Sequence, residues 1–252
     1  MNNPTVIEIL GVPVHAVTMA DTLALIEQYM TEPCLHQLAT VNPEFVMAAQ
    51  DDPDFRRVLG AADLCLPDGV GLLFAARRQG RPLPERVPGS ELVYHLAGQA
   101  AERGWPLFLL GAAPGVGAEA GVADEAARLL AERYPGLVVA GTFAGSPAAE
   151  ENDDIVRRIN DSGAALLFVA YGAPKQDKWI ARNRANLPAV RVAVGVGGSL
   201  DFVTGRSVRA PAWMQRLGLE WLHRLIKEPW RWRRMLALPR FAWRVVVTQQ
   251  EI

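Results

Sequence analysis

The chain has 252 residues, 50% of them hydrophobic, with a formal net charge of −1; this excludes a disordered segment and leaves room for one large α/β domain, or one domain with an appendage. The near-neutral total hides an asymmetry, because residues 1–205 hold 16 Lys+Arg against 24 Asp+Glu, a balance of −8, and residues 206–252 hold 10 against 3, a balance of +7. The acidic body argues against a nucleic-acid partner, and two distant cysteines, Cys34 and Cys65, argue against a disulfide framework and for a reducing cytoplasm.

The start, MNNPTVIEIL, lacks the basic opening and long apolar stretch of a signal peptide, and no apolar run approaches the roughly 18 residues of a spanning helix. The expectation is a cytoplasmic protein that does not cross a bilayer. Short apolar runs then recur at 35–40, 63–66, 106–111, 137–141, 165–172 and 190–198, separated by helix-like segments such as 115–134, 148–161 and 175–185. Continuous apolar strands alternating with helices predict an α/β fold: a Rossmann-like, mostly parallel sheet with helices on both faces. Ligands of such sheets gather at the carboxyl ends of the strands, which directs attention to the residues after each run. Past Gly205 the pattern changes to short helical pieces divided by Pro229 and Pro239. Two units are expected, an α/β catalytic core over 1–205 and a small basic helical appendage over 206–252.

Thr40 and Asn42 follow the first of these runs, in TVNPEF, where they could hydrogen-bond a sugar; Asn42-Pro43 also reads as a helix cap with proline in the first turn. Asp68 follows the second, in LPDGVG, as a carboxylate able to take a proton from an attacking hydroxyl or to cap a helix. Arg86, in ERVPGSEL, is a cation that could meet a departing diphosphate. The run PLFLLGAAPGVGAEA predicts a strand, a glycine turn at Gly111 and Gly115, and a helix whose first N–H groups could receive a phosphate. The next strand ends at Gly141-Thr142 with no carboxylate to hold a ribose, so NAD is disfavoured, and a nucleotide-sugar site or a structural turn remains. Gln176, in GAPKQ, offers a bidentate amide beside Lys175, and Gly197 lies in the glycine-rich end of the last run. Asp52-Pro53-Asp54 spells D-x-D but falls between helix-like stretches, where a helix cap is expected. The four histidines show no metal-ligand spacing, so no metal site is expected.

Together these stretches resemble the bacterial WecG/TagA/CpsF glycosyltransferases. The resemblance runs in order through TVNPEF (40–45), LPDGVG (66–71), RVPGSEL (86–92), YPGL (134–137), YGAPKQDKW (171–179), GVGGSLDFVTG (195–205), RAPAWMQRLGLEWLHRL (209–225) and KEPWRWRR (227–234). It implies inverting, metal-independent and cofactor-free transfer of a sugar from a UDP-sugar to a polyprenyl-diphosphate-linked saccharide in surface-polysaccharide synthesis. It also implies Asp68 as base, Thr40 and Asn42 on donor or acceptor, Arg86 and Gln176 on the diphosphate or substrate, and Arg224, Arg231 and Arg234 as arginines the tail supplies. GTFAGSP (141–147) and Ser90-Glu91 depart from the family pattern, which bears on the donor and not on the type of reaction.

The tail holds five of the seven tryptophans. Indoles beside arginines suit an anionic membrane surface, so the tail reads as a lid docking the enzyme to the inner face of the cytoplasmic membrane; burial in a homo-oligomer interface would use the same residues. Two other classes share these residues: a non-catalytic module binding nucleotide-sugars, and a nicotinamide-dependent oxidoreductase, which wants the carboxylate missing after Gly141.

Overall fold

A computed structural model describes residues 4–116, 120–211, 214, 220–227, 229 and 232–248, with the backbone alone at 224, 233, 234 and 248. The chain opens with a hairpin, β1 (Val6–Ile9) and β2 (Val12–His15), turned by Leu10 and Gly11, both at positive φ. That hairpin was not expected: its turn lacks the Asn-Gly or Asp-Gly pair that marks most such turns. Helix α1 (Met19–Tyr29) follows, closed at its start by a reciprocal bond pair between Thr18 and Asp21.

Six strands form the main sheet: β3 (His36–Val41), β4 (Leu64–Pro67), β5 (Leu107–Gly111), β6 (Val139–Phe143), β7 (Leu166–Ala170) and β8 (Val192–Gly195). Their spatial order is β4-β3-β8-β7-β5-β6, and every pairing is parallel. Between them run α2 (Pro43–Asp51), α3 (Pro53–Gly60), α4 (Val70–Arg78), α5 (Gly89–Arg103), α6 (Val122–Arg133), α7 (Asn152–Ser162) and α8 (Lys175–Asn183), and α9 (Ser199–Val203) follows β8. All six expected strands are present, within a few residues of their predicted bounds.

Alternate strand residues enter opposite cores. Leu38, Leu107, Leu109, Leu166, Phe168, Val192 and Val194 pack under α1, α5, α6 and α9. On the other face, Phe108, Leu110, Leu167, Val169 and Ala193 meet α7 and α8, and Ala39, Val41 and Cys65 meet α2, α3, α4 and the hairpin. A parallel sheet covered on both faces accounts for the unbroken apolar runs.

The tail contributes α10 (Glu220–Lys227), α11 (Trp232–Met235) and α12 (Ala237–Thr248). The change of pattern at Gly205 does not separate α12 from the core: Phe241 and Val245 are 2% and 4% exposed and pack with residues of α2 and α4. Burying a phenylalanine and a valine stabilises this docking by roughly 3–5 kcal/mol.

Helix α8 carries an anomaly. Asp177 is 0% exposed and neither carboxyl oxygen has a hydrogen-bond partner among the described residues. Burial raises its pKa from 3.8 to about 7. The folded chain therefore holds this proton more tightly than the unfolded one, and stability is lost as pH rises from about 4 to about 7. The interval corresponds to about 4 kcal/mol at most. Asp177→Asn, which carries no charge at either end, is expected to gain stability over the wild type progressively across this window and to hold that gain above it. Thermal melts of both proteins from pH 4 to 8 measure the difference; parallel curves would show that Asp177 is not ionised at a cost.

Candidate functional site

Because the strands are parallel, their carboxyl ends share one edge, and there a cavity of about 800 Å³ opens. The ends of β3, β4, β5, β7 and β8 all contribute, through Thr40, Asp68, Ala112, Ala170 and Gly197. The tail closes one side with Val208, Arg209, Glu220, Trp221, His223, Met235 and Phe241.

Thr40 ends β3 and donates its hydroxyl to the Gly195 carbonyl at 3.1 Å, tying β3 to its neighbour β8. Asn42 caps α2, its Oδ1 accepting from Phe45 N–H at 3.1 Å, with Pro43 in the first turn. That leaves its amide nitrogen as the part of the side chain not used by the cap. Asp68 does not cap the helix that follows it; the N-cap of α4 is Gly69. Gly69 has φ +153°, and a Cβ there would lie 3.1 Å from Pro43 Cδ, so glycine lets the Asp68 loop close onto the Asn42-Pro43 turn. The Asp68 carboxylate instead crosses to α5, where Oδ2 accepts from Gly89 N–H at 3.2 Å. Gly89 is the first residue of that helix.

Arg86 is held near Asp68 because Val87 N–H bonds the Pro67 carbonyl at 2.9 Å. Its guanidinium pairs with the carboxylate of Glu220, from α10. Arg209 joins the same cluster, 3.8 Å from Glu220 and 2.9 Å from Glu91. Two guanidiniums thus converge on one carboxylate in the cavity wall. Their side chains are 19% and 30% exposed and that of Glu220 29%, so the pairs are partly desolvated and screened less than surface pairs.

Gln176 is 1% exposed. Its Oε1 accepts from Gly172 N–H at 3.0 Å and Gly197 N–H at 2.9 Å, clamping the loops after β7 and β8 together. A Cβ on Gly195 would lie 2.5 Å from Gln176 Nε2, so only glycine lets the amide into this position. The carbonyl half of Gln176 and the N–H of Gly197 are therefore committed to the frame, and neither is left to meet a phosphate. Lys175, beside it, is exposed and does not line the cavity.

The glycine run after β5 differs from its expectation. Helix α6 begins at Val122, not near Gly115, and the Asp124 carboxylate already bonds Gly121 N–H at 3.1 Å across that helix start. A carboxylate there repels a phosphate; Ala112 and Ala113 line the cavity, whereas Gly111 and Gly115 do not. Gly141, on the edge strand β6, packs against the Phe108 ring, away from the cavity. Asp52 caps α3 through Phe55 N–H at 3.0 Å and pairs with Lys178 at 2.7 Å, which makes Asp52-Pro53-Asp54 a cap as expected. Arg231 lies outside the described residues, as do the side chains of Arg224 and Arg234.

The sequence reading passed over Arg209 and Glu220, although both stand inside the RAPAW and GLEW stretches; only the fold brings them to Arg86. The spacing of the histidines gave no support for a zinc site. Among the described residues one group of donors comes together, Glu32, Cys34 and His36, at the opposite edge of the sheet.

A carboxylate, hydroxyl and amide groups, and paired arginines around one cavity suit a polar substrate with an anionic leaving group. The comparisons with known proteins agree. The chain is 37% identical over 205 residues, 81% of its length and 77% of the relative's, to the N-acetylglucosaminyldiphosphoundecaprenol N-acetyl-beta-D-mannosaminyltransferase of Bacillus subtilis (strain 168). It is 35% identical over 204 residues, covering 81% of this chain and 76% of the relative, to the protein of the same name from Bacillus spizizenii (strain ATCC 23059 / NRRL B-14472 / W23). The profile of the Glycosyl transferase WecG/TagA/CpsF family matches residues 7–251, hairpin to tail, and with the strand-end residues in place around one cavity, the chain belongs to that family of glycosyl transferases.

Proposed function

We propose that this glycosyl transferase moves an N-acetylmannosamine-type sugar from its UDP derivative to a saccharide on a polyprenyl diphosphate, in the synthesis of a cell-envelope polymer. The carrying observation is that Asp68 and Arg86 line one cavity, a carboxylate and a guanidinium on the walls of a single space. The relatives' names specify both the sugar transferred and the lipid-diphosphate acceptor.

Asp68 takes the proton of an acceptor hydroxyl, whose oxygen attacks the anomeric carbon from the face opposite UDP. The carbon–phosphate oxygen bond breaks, and its electrons pass to the diphosphate. One displacement inverts the centre, so an α-linked donor gives the β linkage in the relatives' name. Thr40 and Asn42 border the reacting sugars, and Gln176 keeps the loops that shape the floor in register. Arg86 and Arg209 receive the departing charge, which needs neither a metal nor a cofactor. Glu220 stands where that diphosphate would meet them.

Among the described residues no helix is long and apolar enough to cross a membrane. Trp221, Trp232 and Trp243 are 40%, 52% and 71% exposed, which supports the tail as a surface that rests on the cytoplasmic leaflet, where the lipid-linked acceptor is held.

UDP release, measured with a polyprenyl-diphosphate-N-acetylglucosamine analogue and a panel of UDP-sugars in EDTA, tests the reaction. Acceptor-dependent release with one donor is expected, reduced at least about a hundredfold in Asp68→Asn; near-wild-type turnover by a folded variant would remove Asp68 as the base. Glu220→Gln leaves both arginines free of their shared carboxylate, and UDP is expected to bind about three- to tenfold more tightly by calorimetry. Unchanged affinity would place the diphosphate elsewhere. Replacing Trp221, Trp232 and Trp243 together by alanine is expected to lower pelleting with anionic liposomes at least about tenfold. Truncation at Gly205 is a poorer test, since it strips Phe241 and Val245 from the core.

A further inference from the structure

His36 begins β3 at the edge of the sheet opposite the cavity, roughly 13 Å along the strand from Thr40. Its ring is buried, 6% exposed, and stacked on Tyr29 at 4.1 Å with 7° between the planes. Nδ1 lies 3.2 Å from Asp63 Oδ1. Asp63 is itself fixed, its Oδ2 accepting from Gln37 N–H at 2.8 Å and pairing with Arg184. The imidazole is therefore held at one ring face and at Nδ1.

The other nitrogen faces two electron-rich atoms. Nε2 is 3.1 Å from Glu32 Oε2 and 3.3 Å from Cys34 Sγ, and the three donor atoms all lie within 4.8 Å of one another. An ionised carboxylate only accepts, so Asp63 draws the ring proton to Nδ1 and turns the Nε2 lone pair toward the oxygen and the sulfur. A thiol or ring proton joins only two of these three atoms at a time, whereas a cation between them meets all three. Histidine ligands of metals are held in this way, by a carboxylate on the remote nitrogen. In a tetrahedral zinc site, with Zn–N near 2.0–2.1 Å and Zn–S near 2.3 Å, neighbouring donors stand roughly 3.3–3.6 Å apart. The two separations from Nε2 are within a few tenths of that range. A nitrogen, a sulfur and one carboxylate oxygen suit zinc-like ions and not the oxygen-seeking calcium or magnesium.

We propose that Glu32, Cys34 and His36 form a binding site for a zinc-class divalent cation, with Asp63 orienting His36 and water completing the coordination. The site ties the segment after α1 to the first strand of the main sheet. Its function is structural, it is independent of the glycosyl-transfer reading, and it places no metal near Asp68 or Arg86.

The test uses the full chain, stripped by chelator dialysis and titrated with Co²⁺ alone. Expected are one equivalent bound, a thiolate-to-cobalt charge-transfer absorption, the intense visible bands of a tetrahedral ion, and loss of all three on adding Zn²⁺. Cys34→Ser, at an exposed position, is expected to abolish the charge-transfer band and weaken Zn²⁺ binding at least about tenfold; Glu32→Gln is expected to weaken binding while keeping the band. Zn²⁺ should raise the melting midpoint of the wild type and not of Cys34→Ser. No charge-transfer band at saturating Co²⁺, or a band that survives Cys34→Ser, overturns the proposal.

Discussion

Parallel pairing is the constraint on which the rest of this structure depends. Six strands that run the same way need a crossover after each one, which covers both faces with helices and forces continuous apolar strands. It also delivers every strand-end loop to one edge. The strand-end residues Thr40, Asp68, Ala112, Ala170 and Gly197 lie far apart in the chain and meet around one cavity because their strands end together.

Convergence alone does not shape a site, and Gln176 supplies what the sheet cannot. Its buried carbonyl binds two backbone N–H groups from different loops, Gly172 and Gly197. An unpaired buried polar group is costly, so the clamp holds as long as the core around it does. Asp177, next in the chain, is buried, and neither of its carboxyl oxygens has a hydrogen-bond partner among the described residues. The two neighbours show how one helix start can spend stability at one residue and fix geometry with the other.

The basic tail belongs to the site as much as to the surface. Phe241 and Val245 anchor α12 in the core, while Glu220 of α10 meets Arg86 and Arg209 across the cavity wall. Acidic body and basic tail thus meet through specific pairs, including Arg240 with Asp51 at 3.7 Å, and not as two opposed charge clouds. Glu220 between two arginines leaves both cations facing one acceptor in the cavity wall.

The sequence by itself determined the α/β class, the six strands and the residues that follow them, because continuous apolar runs and their terminators are local properties of the chain. It could also place Asp68 and Arg86 at strand or helix ends, and it carried the family's motifs in order. What it could not decide was which groups those side chains meet. Asp68 turned from its own helix to the start of α5, Gln176 turned its carbonyl to the backbone, and the helix after β5 starts at Val122 with Asp124 on the Gly121 N–H. The hairpin escaped notice because Leu10-Gly11 carries no strong turn signal, and Arg209, Glu220 and the Glu32-Cys34-His36 group escaped because their partners are distant in sequence or of mixed type. Contacts between residues many positions apart depend on strand order and helix packing, and only the tertiary structure fixes those.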